Sequence, residues 1–229
     1  MDFPEKYYYL IIDLASFAFP FLFSFHPKIK FYKEWKSYLP ILFITALLFI
    51  IWDEWFARMH IWAFNPKFLV GIYFGKLPLE EILFFLFIPY CLSFMHHCLP
   101  LGFNISNEKF NFKLLNVIIG IVILIVGIIS IHKWYTGFTF LFTGLFLILI
   151  SFQQKIKINW LQFWVTYLLG LIPFFIVNGL LTSIPIVTYN DAENLGIRLT
   201  TIPIEDCVYN LLLFAGNIFG RNGLKKITS

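Results

Sequence analysis

LPLEEILFF, at residues 77–85, returns as IPIEDCVYN at residues 202–210, and this duplicated stretch organises the rest of the chain. Each copy has a proline, an aliphatic residue, two adjacent acids and an apolar run. The two prolines are 125 residues apart (203 − 78). The same offset relates Asp53 to Asn178, Phe64 to Tyr189, Asn65 to Asn190 and Gly71 to Gly196. Because the same 125-residue offset holds at all of these positions, the two halves of the chain indicate an internal duplication.

The acid pairs have two explanations. Proline suits the first helical position, and acids in the first turn are stabilised by the helix dipole. For either copy alone, a plain helix start is therefore as good an explanation as a functional role. Four carboxyl groups at the mouths of two apolar helices favour a functional role, because ionisable groups within a membrane are costly and usually functional.

The composition is that of a membrane protein. Of the 229 residues, 59% are hydrophobic and 13% are charged, and the net charge is only +4. These values exclude a soluble domain, and no basic run indicates nucleic-acid binding. The three cysteines lie in apolar segments, which is typical of buried thiols rather than of a metal site. Asp2 and Glu5 replace the basic start of a signal peptide, so the first apolar run is expected to remain as a helix.

Hydropathy predicts an all-α integral membrane protein with about seven transmembrane helices. They are expected near residues 7–24, 39–57, 78–98, 112–131, 134–152, 160–181 and 203–219. Because one helix connects two groups of three, both repeats have the same orientation, in a parallel 3+1+3 arrangement. The predicted units are residues 1–98, a connector with helix four over 99–133, and residues 134–229.

The basic residues predict the orientation of the chain. Eleven of the seventeen Lys and Arg residues fall on the side of the C-terminus, which is therefore expected to be cytoplasmic, with the N-terminus outside. Both acid pairs then face outward. The two long loops before them carry the pairs Phe64-Asn65 and Tyr189-Asn190. We interpret these loops as lids over the acidic end, although interfacial segments would look similar.

The acids suggest general acid–base chemistry. Glu80 and Glu81 are adjacent on a helix and cannot both face one atom. Each can instead meet its repeat equivalent, which pairs Glu80 with Glu205 and Glu81 with Asp206. Neighbouring carboxyl groups in an apolar site can divide into a proton donor and an acceptor. The first pair is favoured because the acid type is kept there, and Asp53 is a further catalytic candidate. An aromatic content of 21% offers faces that stabilise a cation.

The two motifs resemble those of the small membrane lycopene cyclases, known as bacterial heterodimers, as fused bacterial chains and as part of fungal bifunctional proteins. The second half is similar to that family at residues 178–182, 189–190 and 196–198. The resemblance covers nearly the whole chain, which would correspond to both subunits fused in tandem in a bacterial cell membrane. It implies redox-neutral ring closure on a linear carotene through a carbocation, without a flavin, other cofactor or metal.

The substrate-binding candidates come from the motifs and the lids: Trp62, Phe64, Asn65, Phe84, Asn178, Tyr189, Asn190, Arg198 and Tyr209. Asn178 stands where the first repeat has Asp53. The expected partners are lycopene or a related carotene and the lipid bilayer, with self-association or contact with other carotenoid enzymes also open, and no nucleic acid. The rival hypotheses are a small 3+1+3 transporter with proton-coupled carboxylates and a structural subunit without activity, which would need no duplicated acids.

Overall fold

The computed structural model describes residues 4–105 and 110–228, which form seven α-helices. The helices are α1 Tyr8–Phe23, α2 Trp35–Arg58, α3 Leu79–Gly102, α4 Phe112–Ile129, α5 Trp134–Phe152, α6 Trp160–Ser183 and α7 Ile204–Thr228. The bounds of α5 are those expected from the sequence. At the C-terminus, α7 continues nine residues beyond the expected end at 219 (228 − 219). The helix end predicted from hydropathy is at Phe219 because the residues after it are mostly polar.

Five of these helices, α2 to α6, are long and apolar enough to cross a membrane, among the residues the structure describes. The other two are α1, which has 16 residues, and α7, which begins with two acids and ends with basic residues. Apart from Lys113 in the first turn, the exposed side chains of α4 are aliphatic, including Ile118, Val122 and Ile125. The expectation of an all-α membrane protein is therefore confirmed.

The duplication extends to the backbone. Helices α2 and α6 both begin at a tryptophan, Trp35 and Trp160, and the two are 125 residues apart (160 − 35). In the loop before α3, β2 (Tyr73–Phe74) pairs with β3 (Leu77–Pro78). The loop before α7 repeats this hairpin with β5 (Arg198–Leu199) and β6 (Ile202–Pro203). Gly71 and Gly196 lie where each loop turns into its hairpin, and their φ values of 92° and 72° favour glycine.

Each acid-bearing helix starts one residue later than expected. Pro78 is extended, with φ −70° and ψ 157°, and belongs to β3, so α3 begins at Leu79. The Leu79 N–H donates to Ile72 O at 2.9 Å, and the equivalent Ile204 N–H donates to Ile197 O at 3.0 Å. These bonds fasten each helix start to its own lid.

A short ribbon joins the two lids. Strand β1 (Trp62–Phe64) pairs antiparallel with β4 (Val187–Tyr189), and Ala63 lies opposite Thr188. At one end of the ribbon, Asn65 N–H donates to Ile186 O at 2.9 Å; at the other, Asn190 N–H donates to Ile61 O at 2.8 Å. The two bonds are repeat equivalents, so the pseudo-two-fold axis passes through the centre of the ribbon.

The connecting helix α4 packs closely on α5. A Cβ added at Gly144 would lie 2.6 Å from Gly120 O and 2.7 Å from Leu124 N. A Cβ at Gly127 would lie 2.8 Å from Leu141 N. The glycines thus let two apolar helices approach through their backbones, as small residues do in membrane bundles.

Candidate functional site

A small cavity lies beneath the ribbon, where the two repeats meet. It encloses about 50 Å³ and is lined by residues from both lids and from every helix except α4. Nine of the expected site residues line it: Asp53, Trp62, Phe64, Glu81, Phe84, Asn178, Tyr189, Asp206 and Tyr209. We call this space the central cavity. It contains one acid from each duplicated pair, so the repeats share one site.

Glu81 and Asp206 are the repeat-related carboxyl groups of the central cavity. Each is the third residue of its helix, in the first turn, and both are buried. Tyr9, from α1, donates to Glu81 Oε2 at 2.6 Å. Tyr135, from α5, donates to Asp206 Oδ1. A tyrosine on the first helix of each repeat therefore orients the second acid of the same repeat.

Asp206 has more donors than Glu81. Besides Tyr135, its Oδ2 accepts from the Tyr189 hydroxyl at 2.8 Å and from Asn178 Nδ2 at 3.3 Å. Burial raises the pKa of Tyr189, and the adjacent Asp206 carboxylate raises it further, so the phenol remains a donor. Several donors favour the ionised form of a carboxyl group. The two halves of the site have thus diverged around the duplicated acids.

Glu80 and Glu205 do not line the central cavity. Both are fully buried, and each binds its own lid: Val70 N–H donates to Glu80 Oε1 and Leu195 N–H to Glu205 Oε1, both at 2.7 Å. Thr136 Oγ1 adds a bond of 2.6 Å to Glu205. The adjacent acids point in different directions, as expected for a helix, but the pair that meets in the cavity is Glu81 with Asp206 rather than Glu80 with Glu205.

The walls of the central cavity are aromatic. The Trp62 ring lies edge-on to Tyr135 at 5.1 Å between centroids, and Tyr135 stacks on Tyr189 at 6.0 Å. Tyr209 lies 6.3 Å from Trp62 and 6.3 Å from Phe85. Ring faces at these spacings surround the carboxyl groups, and they can stabilise a cation formed between them.

Several polar groups in the wall have no hydrogen-bond partner among the described residues, including Trp62 Nε1 and Asp53 Oδ2. Two of them lie on α7: the Tyr209 hydroxyl and the side-chain amide of Asn210, which is 3% exposed. Both residues line the cavity and follow Asp206 by one helical turn. Buried polar groups usually have partners, so these two groups bring unused hydrogen-bonding capacity to the wall beside Asp206.

Three expected binding residues lie in the lids instead. Asn65 Oδ1 accepts from Lys67 N at 3.1 Å, and Asn190 Oδ1 accepts from Ala192 N at 3.1 Å. Arg198 donates to Thr201 O at 2.7 Å and to Asp191 at 2.5 Å. The Asn194 amide and this guanidinium lower the pKa of Asp191. None of the three lines the central cavity, and their contacts shape the loops that cover it.

The sequence interpretation missed the two orienting tyrosines. Tyr9 and Tyr135 are 126 residues apart (135 − 9), one more than the offset that relates the other site residues. A search allowing a one-residue gap between the first helix and the rest of the repeat would have aligned them. Phe174, Leu181 and Val187 also line the cavity, but they are ordinary apolar residues without a distinguishing pattern.

The comparison with protein families matches both halves of the chain. The family described as lycopene cyclase matches residues 6–99 and 132–222. The first stretch covers α1, α2 and most of α3, the second covers α5, α6 and most of α7, and α4 lies between them. No curated protein and no solved structure matches the chain. Since the family matches far more than half of the sequence, including both acid pairs, the chain belongs to the lycopene cyclase family.

Proposed function

We propose that this protein is a carotenoid cyclase that closes rings on the linear ends of lycopene in the membrane. The observation that carries the proposal is the meeting of Glu81 and Asp206, one acid from each repeat, in a single aromatic-walled cavity. Ring closure by acid and base needs a proton donor, a proton acceptor and a site that excludes water. The family match supports the same class of reaction.

We assign the donor role to Glu81 and the acceptor role to Asp206. Tyr9 is the hydrogen-bond donor that the structure gives Glu81, whereas three donors converge on Asp206 and stabilise its carboxylate. Glu81 transfers its proton to the terminal double bond of the carotene. The resulting cation is attacked by a second double bond, which closes the ring, and Asp206 removes a proton from a neighbouring carbon. One proton enters and one leaves, so the product is an isomer of the substrate.

The ring isomer depends on which proton Asp206 removes. Oδ1 is held by Tyr135 and Oδ2 by Tyr189 and Asn178, so the carboxylate has a fixed orientation in the cavity. In this assignment, Asp53 and the Tyr209 ring lie close to the cation, where charge and ring faces stabilise it. We propose that the product is the β ring.

The test compares adjacent acids in a bacterium that accumulates lycopene. Glu81→Gln and Asp206→Asn should each lower the rate of cyclisation about a hundredfold or more, the usual contribution of general acid–base catalysis. Glu80→Gln and Glu205→Gln are the matched controls. Their amide oxygens can still accept the Val70 and Leu195 N–H bonds, so activity should stay within about threefold of the parent, since only a small dipole contribution is lost.

Rates are normalised to the amount of folded protein, and pigments are identified by chromatography and mass spectrometry. The parent protein should give cyclic products with the mass of lycopene. A larger loss in the Glu80 and Glu205 variants than in the Glu81 and Asp206 variants would reverse the assignment. A parent protein that leaves lycopene unchanged would overturn the proposed function itself.

A further inference from the structure

Two apolar grooves lie where the repeats meet, and they are related by the duplication. Groove A encloses about 440 Å³ between α1, α3 and α6, and groove B encloses about 510 Å³ between α2, α5 and α7. Phe174 in groove A corresponds to Phe49 in groove B, and Gly170 corresponds to Thr45, both at the 125-residue offset (174 − 49 and 170 − 45). The two grooves therefore began as equivalent surfaces.

The inner ends of the grooves have diverged. Groove A ends at Val177 and Phe174, and Phe174 also lines the central cavity, so the two spaces share a wall. In groove B, Trp52 replaces Val177 at the equivalent position (177 − 52 = 125). Its ring packs edge-on against Phe142 at 5.4 Å and against Tyr209 of the cavity at 5.3 Å. A large indole thus fills the inner end of groove B, where groove A has a small valine.

The central cavity is too small for the substrate of the proposed function. Sites for drug-sized ligands enclose about 300–1,000 Å³, whereas this cavity encloses about 50 Å³. A long polyene can place one end group near Glu81 only if the rest of the molecule lies in adjoining space. Groove A has a volume within that range and adjoins the cavity at Phe174.

The chemistry of groove A fits a hydrocarbon. Its polar side chains are turned to the backbone: Ser16 Oγ donates to Asp13 O at 2.7 Å, and Cys91 Sγ donates to Ser16 O at 3.5 Å. The outer rim includes Phe19 and Ile176, which are 60% and 61% exposed on the surface that faces lipid. A carotene dissolved in the bilayer can therefore enter sideways without crossing water.

We infer that groove A holds the polyene of the linear carotene while its end group reacts in the central cavity, and that groove B holds none. The inference rests on the proposed function and adds the route by which its substrate is bound. The polyene passes Phe174, which borders both spaces, and Trp52 closes the equivalent route from groove B.

The test measures binding, so it does not depend on turnover. The protein is purified in detergent from lycopene-accumulating cells, in a Glu81→Gln background, and the carotenoid retained per protein is measured by absorbance and chromatography. Ile176→Trp places an indole across groove A and should lower retention about tenfold, as overpacking of a filled site does. Leu48→Trp is the matched control in groove B, because Leu48 is 62% exposed and equally lipid-facing. Retention in this variant should not change.

Val177→Trp is a second variant, chosen because the equivalent position already holds Trp52 in a folded repeat. It should lower retention as Ile176→Trp does. Equal retention in the three double variants and the Glu81→Gln parent would overturn the inference and would indicate that bilayer lipid occupies groove A. A loss caused by Leu48→Trp as large as that caused by Ile176→Trp would overturn it as well. If Glu81→Gln still cyclises lycopene, the catalytic assignment fails, but retained product still reports on the groove.

Discussion

At the scale of single residues, the most informative difference between the repeats is Asp53 against Asn178. The Asn178 amide donates to Asp206 Oδ2, a contact that a carboxylate at this position could not make. Asp53 occupies the equivalent position on α2 and is buried in the same cavity. An amide at position 178 leaves one negative charge fewer beside the proposed base than an aspartate would, which agrees with the proposed roles of the two acids.

Asn178→Asp should therefore lower activity. It removes a donor from Asp206 and places a second carboxyl group beside it, which opposes ionisation of the base. We expect a loss of about tenfold in the rate of cyclisation, corresponding to roughly 1.4 kcal/mol in the barrier. Asn190→Asp is the control, because Asn190 Oδ1 only accepts a bond from Ala192 N and a carboxylate can do the same. Unchanged activity in Asn178→Asp would show that the amide is dispensable.

The choice between adjacent acids also belongs to this scale. The sequence predicted that Glu80 and Glu81 would point apart, but acid type alone favoured Glu80 with Glu205. In the structure, the N–H groups of Val70 and Leu195 hold the first acid of each pair against its lid, and the second acid of each pair lines the cavity. These bonds come from loop residues ten positions upstream, and no sequence pattern specifies where such an N–H will point.

At the scale of elements, hydropathy predicted the helices well because each apolar run is set by the bilayer. The strands of the lids are different. They contain two or three residues each and exist because of pairing within a hairpin or across the repeats. Local preference is weak in such short strands, and tertiary contacts determine them. The sequence therefore predicted the two lid loops but neither the hairpins nor the ribbon within them.

The α4–α5 contact gives a test of packing. Gly144→Ala would place a Cβ 2.6 Å from Gly120 O, so the two backbones must separate. We expect the free energy of unfolding to fall by about 1–3 kcal/mol, measured by denaturation of the purified protein in detergent. Gly179→Ala is the control within α6, because its Cβ would meet only Ile202 Cδ1, at 4.0 Å. It should leave stability unchanged or raise it by up to about 1 kcal/mol. Equal losses in both variants would contradict the close-packing interpretation.

At the scale of the whole molecule, the two ends of the bundle differ in chemistry. The end with the lids holds the cavity, and the start of α5 is fastened there by Glu193, whose carboxylate accepts from Trp134 N–H at 3.0 Å. At the opposite end, Glu34 binds Arg221 at 2.7 Å and also pairs with Lys225, which joins the start of α2 to the end of α7. The sequence predicted the duplication, the number of helices and the meeting of equivalent acids from the two repeats. The difference between the two grooves could not be predicted, because it depends on the positions of side chains.

The positive-inside bias predicts that the lids face the outside of the cell. Ala192 is an exposed lid residue, and Lys155 is exposed in the loop between α5 and α6. In a variant with the three native cysteines replaced, Ala192→Cys should react with a membrane-impermeant maleimide added to intact cells. Lys155→Cys should react only after the membrane is opened. Labelling of Lys155→Cys alone in intact cells would reverse the orientation and leave the repeat intact.

The ribbon of β1 and β4 restricts how the lids can change in length. Trp62 and Phe64 point into the cavity and Ala63 points away, and Val187, Thr188 and Tyr189 alternate in the same way. Inserting or deleting one residue immediately before either strand, with its pairing kept, would turn both inward side chains outward. Two residues could be added without this inversion. The lids can therefore tolerate insertions and deletions at the hairpin tips. Beside the ribbon, only insertions or deletions of an even number of residues keep the same side chains facing the cavity.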